Sequence, residues 1–264
     1  IYMGDWSSDV CSSDLALDEV IVTGTLIREI DPVGAPLTVY DREDIDRSGA
    51  ATVDQFVRKI PENLGSIDST SVATAQASGG YSQHGDNAFF GSGLNLHGLG
   101  AGSTLVLLNG RRMAGAGNSA SFVDVAQIPL AAVERVEVLT DGASALYGGE
   151  AIAGVVNFVL RRDFEGLESS VLYGGATEGG AQHLAASQLA GAAWSSGGVM
   201  LSLNHYDHDG LLSTERAYIR DPFDDPASVV LEETRNSAFA SLNQKLFGSF
   251  VYMEIGRASC RERV

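Results

Sequence analysis

Residues 128–148 read IPLAAVERVEVLTDGASALYG, and the fold is read outward from this stretch. Pro129 suits the first position of a helical turn, where its preset φ helps and its missing N–H is not needed. A single turn through Ala132 is predicted. Glu134 to Thr140 alternates with period two and reads as a strand. Asp141-Gly142 is a turn, and residues 143–148 form a short helical segment ending at Gly148. Downstream, Gly154 to Leu160 (GVVNFVL) is a further strand, closed by Arg161 and Arg162.

Toward the N-terminus, Ser103 to Leu108 (STLVLL) is a strand that runs into Asn109-Gly110 and then Arg111-Arg112-Met113. Asn-Gly is a strong hairpin signal, because both central turn positions take positive φ. Residues 114–121 are a Gly/Ala/Ser/Asn loop. Residues 64–93 are small, polar and without period, yet carry Tyr81, His84, Asp86, Asn87, Phe89 and Phe90. Aromatics embedded in so long an irregular stretch point to an ordered surface loop rather than a disordered linker. Thr52 followed by Gln55 is a capping-box pattern, and Val53, Phe56, Val57 and Ile60 recur at helical spacing before Pro61. A helix is predicted over 52–60. Asp41, with Asp44 three residues on, caps a second helical patch, and residues 36–40 read as a strand. Asp18 to Gly24 (DEVIVTG) is a short β-branched run with an exposed or exchangeable edge.

After residue 163 the texture changes. Leu167, Ser169, Val171 and Tyr173 alternate with Glu168, Ser170, Leu172 and Gly174, and Val199, Leu201 and Leu203 alternate with Met200, Ser202 and Asn204. Glycine-rich turns occupy 174–180 and 195–198. Residues 183–193 are alanine-rich and fit no type clearly. A polar insertion extends to about residue 235, and weak alternation returns at 236–247. On periodicity alone this half is antiparallel β. Strands of about ten residues with short turns on one side and longer loops on the other are also what an outer-membrane barrel shows.

Composition narrows the function classes. The 264 residues carry a net charge of −17, which argues against a general nucleic-acid surface. Thirty-one glycines without a collagen period serve turns and close approaches. No apolar run is long enough for a membrane helix, which leaves a membrane barrel open. No secretory signal is visible in residues 1–19. The two cysteines, Cys11 and Cys260, lie near the ends. Residues 5–15 (DWSSDVCSSDL) and 254–264 (EIGRASCRERV) resemble translated sequencing-adapter sequence. Residues 1–15 and 254–264 are therefore expected to be non-native tails, the alternative being native termini. Without them the chain has no cysteine.

The ordered motifs resemble those of the TonB-dependent outer-membrane receptors. DEVIVTG at 18–24 is similar to the family's TonB box, LNLHGLG at 94–100 to a plug motif that more usually has Arg where His97 stands, and TLVLLNGRR at 104–112 to the next one. Residues 128–148 carry the most specific signature. GEAIAGVVNFVLRR at 149–162 resembles the end of the plug, departing at Gly149-Glu150. The resemblance implies an α+β plug domain followed by the first strands of a roughly 22-stranded transmembrane antiparallel β-barrel. It implies a TonB-box segment at 16–27, a plug at 28–163 and about four barrel strands at 164–253.

What the resemblance implies for function is active uptake of a scarce extracellular ligand, a siderophore, cobalamin, haem or glycan, across the outer membrane of a Gram-negative bacterium. There is no bond chemistry and no cofactor. The partners implied are TonB with its inner-membrane energising complex, outer-membrane lipid and the small ligand. Asp18, Glu19, Val20, Ile21, Val22, Thr23 and Gly24 would pair with TonB as an added edge strand. Tyr81, His84, Asp86, Asn87 and Phe90 would face the ligand at the plug apex. Arg111, Arg112, Glu134, Arg135, Arg161 and Arg162 would pair with the barrel wall, since buried charges need partners; otherwise they are solvent-facing strand ends. So few strands cannot close a barrel, and the chain alone is expected to misfold or aggregate.

Other readings are weaker. Gly98, Gly100 and Gly102 precede a strand rather than a helix, so no dinucleotide loop is formed. His205, Asp207, His208 and Asp209 are a thin metal signal, better read as a polar loop. Asp221, Asp224 and Asp225 lack the calcium-loop pattern. No nucleophile–base pairing is suggested by spacing, so no enzyme is expected. The alternatives are a signal-transducing receptor of the same family, which would carry an extra N-terminal domain, and a soluble β-rich binding module, which would lack the consecutive plug motifs.

Overall fold

The computed structural model describes residues 36–66, 91–116, 120, 122–162, 164–216, 228–246 and 249–262, with backbone alone for 228, 246 and 249–262. The first five strands are β1 (Leu37–Tyr40), β2 (Thr104–Leu108), β3 (Arg111–Arg112), β4 (Val133–Leu139) and β5 (Gly154–Leu160). They form one sheet in the order β1-β4-β5-β2-β3. β5 runs parallel to β2 and antiparallel to β4. All seven of its residues are buried, which is why GVVNFVL is a continuous apolar run rather than an alternating one. β4 departs from the predicted half-buried alternation. Val136 to Leu139 are all buried, Glu137 included, because both faces of the sheet are covered.

One face packs Val136, Val138, Val156, Phe158 and Leu160 against Ile45, Phe56, Val57, Leu94 and Leu96. The other packs Leu105, Leu107, Leu139 and Val155 against Ala143 and Ala151. Among the described residues, three short α-helices pack on this unit: α1 (Arg42–Arg47), α2 (Val53–Val57) and α3 (Ser144–Tyr147). α1 has the expected reciprocal cap, with Asp44 N–H donating to Asp41 Oδ1 at 2.9 Å. In α2 the predicted box is shifted. Thr52 makes no capping bond, and Gln55 Oε1 accepts from Ala51 N at 2.9 Å. α2 is also shorter than the predicted 52–60; beyond Val57 the chain continues in i→i+3 bonds, Lys59 N to Phe56 O and Ile60 N to Val57 O. The Asn-Gly turn is as predicted, with φ of 50° at Asn109 and 75° at Gly110.

The rest of the chain makes a second, antiparallel sheet. Its strands are β6 (Gly166–Gly174), β7 (His183–Trp194), β8 (Gly197–His208), β11 (Glu233–Leu246) and β12 (Ser249–Glu262), neighbours in that order. A small pair, β9 (Leu211–Leu212) with β10 (Ser228–Val230), lies between β8 and β11 in sequence. The alanine-rich stretch is a strand. The sheet has five strands where about four were expected from sequence, and β11 begins at Glu233, inside the expected polar insertion. β12 runs through residues 254–262, the stretch that resembles adapter sequence, and pairs there with β11 from Ser241 back to Thr234. Such pairing is between backbones and speaks to no particular origin of the side chains.

β8 alternates most clearly. Met200, Ser202 and Tyr206 are buried, while Val199, Leu201 and Leu203 are exposed. Leu167 and Val171 on β6 are 72% and 75% exposed. The buried row faces the first sheet: Leu189, Met200 and Phe239 belong to the same core as Phe56 and Phe158. Gly197 faces Gln244 and Leu246 faces Ser249 at one rim, while Gly174 faces His183 and His208 faces Glu233 at the other.

Candidate functional site

The contact between the mixed sheet unit and the strand wall is where chemistry-bearing side chains meet. α2 turns Val53, Phe56 and Val57 into the core, and Asp54, at the edge of that apolar arc, is carried inward with them. Asp54 Oδ1 lies 3.3 Å from Arg235 Nη2 on β11, both side chains only 6% exposed. Asp54 Oδ2 lies 3.1 Å from Arg58, and Arg235 Nη1 is 3.3 Å from Glu233. Tyr206 stands directly opposite Arg235 across β8 and β11. The guanidinium sits 5.2 Å from its ring centroid, and the Tyr206 hydroxyl accepts from Gln55 Nε2 at 3.2 Å. Burial pushes the Asp54 carboxyl up, but Arg235 and Arg58 outweigh it and hold the group below its ordinary value of 3.8.

Beside this charge cluster lies a cavity of about 240 Å³, bounded by the 49–52 turn and residues 126–131 on one side and by β6, β7, β8 and Arg235 on the other. Most of its wall is small or polar.

The charged residues expected from sequence to face the wall are placed variously. Arg161 Nη1 meets Glu168 of β6 at 2.7 Å, and its guanidinium lies 5.3 Å from the Phe164 ring centroid. Arg112 pairs with Glu150 and with the Tyr147 carbonyl, tying β3 to α3. Arg135 bonds Glu137 at 2.9 Å and lies 3.8 Å from Glu134. Arg111 is exposed and Arg162 half-buried. Arg161 thus makes an ion pair to the wall strand β6. The Asp54–Arg235 pair was not anticipated. Its partners lie 181 residues apart, and Arg235 fell within the expected loop.

A buried polar line runs through the mixed sheet. Glu137 Oε2 accepts from Asn157 Nδ2 at 3.0 Å, and Asn157 Oδ1 accepts from Gly110 N–H at 2.9 Å. Asn109 Oδ1 accepts from Leu160 N–H at 2.9 Å. The hairpin turn is thus fastened to the central strand by side chains. His97 has φ of 57° and its Nε2 lies 2.9 Å from the Thr140 carbonyl, linking two motifs of the resemblance.

His205 and His208 point to opposite faces of β8. His205 bonds Asn236 outside, and His208 stacks on His183 inside, ring centroids 6.2 Å apart. Among the described residues no His/Cys/Asp/Glu group is arranged to hold a metal ion. Residues 18–24, Tyr81, His84, Asp86, Asn87 and Phe90, and Asp221, Asp224 and Asp225, lie outside the described residues.

A family model described as the TonB-dependent receptor plug domain matches residues 30–155. Residues 30–155 are a TonB-dependent receptor plug domain. Solved structures agree on the fold. The siderophore receptor PirA from Acinetobacter baumannii superposes with a TM-score of 0.59 at 17% identity, over 85% of this chain and 31% of its own. A variant of the ferric enterobactin receptor PfeA from Pseudomonas aeruginosa, in complex with enterobactin, gives 0.54 at 18%, over 80% and 31%. The copper transporter OprC gives 0.54 at 16%, over 79% and 28%. The chain spans about a third of the length of these receptors. The mixed sheet unit is therefore the plug, and the second sheet is barrel wall. No helix among the described residues is long and apolar enough to cross a membrane, which says nothing about crossing by strands.

Proposed function

We propose that this chain belongs to a receptor that takes up a scarce solute across the outer membrane of a Gram-negative bacterium, driven through TonB. The observation that carries the reading is the plug seated on the inner face of an amphipathic antiparallel wall. That wall turns Leu167, Val171, Val199, Leu201 and Leu203 outward, as lipid contact requires. Residues 16–27 serve as the TonB-box segment, 28–163 as the plug and 164–253 as the start of the barrel, with non-native tails at 1–15 and 254–264. Asp18 to Gly24 offer TonB an extra strand, whose main-chain hydrogen bonds give grip without a preformed pocket. Tyr81, His84, Asp86, Asn87 and Phe90 face the solute at the plug apex. Proteins that share this fold include siderophore receptors and a copper transporter, so metal chelates are the first solutes to test, before cobalamin, haem and glycans. No catalytic step is assigned.

The test is accumulation of radiolabelled ferric siderophores, cobalamin, haem, copper and oligosaccharides by cells expressing the complete receptor, with and without TonB. The expected result is accumulation of one class, only when TonB is present. Equal accumulation without TonB, or none of any class from a receptor correctly inserted in the outer membrane, contradicts the proposal.

A further inference from the structure

The plug does not meet the wall evenly. At α2 the contact is buried and charged: Asp54 pairs with Arg235 and Gln55 bonds Tyr206 across the interface, and within the wall Arg235 is held by Glu233 and the Tyr206 ring. Leu189, Met200 and Phe239 continue it as shared apolar core. A few residues away, Gly49, Ala50 and Ala51 stand across the cavity of about 240 Å³ from Ser170, Ser187 and Asn204. That space is polar and roomy enough for water, and its lining atoms forgo the packing contacts that hold surfaces together.

We propose that α2 is the anchor that keeps the plug on strands β8 and β11, and that the cavity beside it is the seam along which plug and wall part. This rests on the transport reading for its purpose, but its physical content stands separately. Parting the surfaces at α2 strips Arg235 of one carboxylate in a buried setting, and unpaired buried charge is strongly unfavourable. Opening at the 49–51 turn uncovers no such buried pair; the Arg161–Glu168 pair, whose carboxylate is partly exposed, and the packing of residues 130–132 on β7 hold the far side of the cavity. Movement of the plug begins on the side of the 49–51 turn and reaches α2 last. Asp54, Gln55, Tyr206 and Arg235 are positioning residues in this scheme, and none is required to touch the solute.

Hydrogen exchange read by mass spectrometry on the purified, complete receptor tests the idea without any solute. α1 and α2 are internal comparators. α1 has the complete capping box and α2 does not, so local structure alone makes α1 the slower to exchange. The anchor predicts the reverse: amides of Val53–Val57 exchange about tenfold or more slowly than those of Arg42–Arg47, and the 48–51 turn exchanges fastest. Asp54→Asn or Arg235→Met singly should raise the α2 rate at least tenfold while strands β7 and β8 stay protected. The double variant should exchange no faster than the singles. Tyr206→Phe, which removes only the bond to Gln55, gives a smaller rise and serves if the charge variants do not insert. α2 exchanging as fast as α1 in the wild type, or unchanged by Tyr206→Phe and both charge variants, overturns the anchor. Failure of uptake with this exchange pattern intact sinks the transport reading instead.

Discussion

Gly154 shows how tightly single positions are specified. Its φ is +138°, and a Cβ there would lie 2.4 Å from the Leu139 carbonyl and 2.8 Å from Leu96 Cδ1. Gly154→Ala should lower plug stability by more than about 1 kcal/mol, read as a lower urea midpoint for the receptor in detergent. Asp54 is the second such position. Removing its carboxylate from a buried pair should cost about 3–5 kcal/mol, and Asp54→Ala should show that loss in the same melt. The sign of its pH dependence follows from linkage. The folded-state pKa lies below the ordinary 3.8, so the stabilisation is complete above that value and is lost as pH falls through the lower folded value. Acid melts from pH 5 downward should show this loss in the wild type and less of it in Asp54→Asn. Asp54 was half legible in sequence, since it borders the Val53-Phe56-Val57 arc. Arg235 was not, because nothing local marks a strand residue whose partner is on a helix 181 positions earlier.

At the scale of elements, what was legible followed local chemistry. Asn109-Gly110, Gly148 and the Asp41–Asp44 cap all sit where backbone preference alone puts them, and Pro129 stands one position earlier than expected, as the N-cap of the turn Leu130–Ala132. β7 was illegible for the same reason. Alanine has no β preference and a high helical one, so only pairing with β6 and β8 makes residues 183–194 a strand. The predicted alternation of β4 failed at Glu137, whose burial depends on Asn157 and Arg135. Asn157→Ala should remove the bonds to both Glu137 and Gly110, costing about 1–3 kcal/mol. It should also loosen the hairpin turn, measured as faster amide exchange at Gly110. An unchanged rate there would show that the turn stands on its own backbone preference.

The whole molecule is a plug held by a wall, and each has its own signature. The consecutive motifs between 94 and 162 identified the plug, because their turns and glycines are locked to specific geometry. The wall was weaker in sequence, since period-two alternation in strands of small residues carries little information per segment. Its outer face makes a direct prediction. Leu201→Arg should reduce membrane insertion by about 2–4 kcal/mol if that position lies near the bilayer midplane, measured as the folded fraction in lipid vesicles. A polar substitution at the inward Asn204 should leave insertion unchanged. The most direct test of the central claim is the sequence of the complete reading frame, read outward from both ends of this chain in the source DNA. The account predicts a secretory signal ahead of Asp18, roughly seventeen further amphipathic strands after β12, and residues other than EIGRASCRERV following Met253. A frame that ends near residue 264, or continues without strand alternation, would contradict it and leave a plug with no barrel to fill.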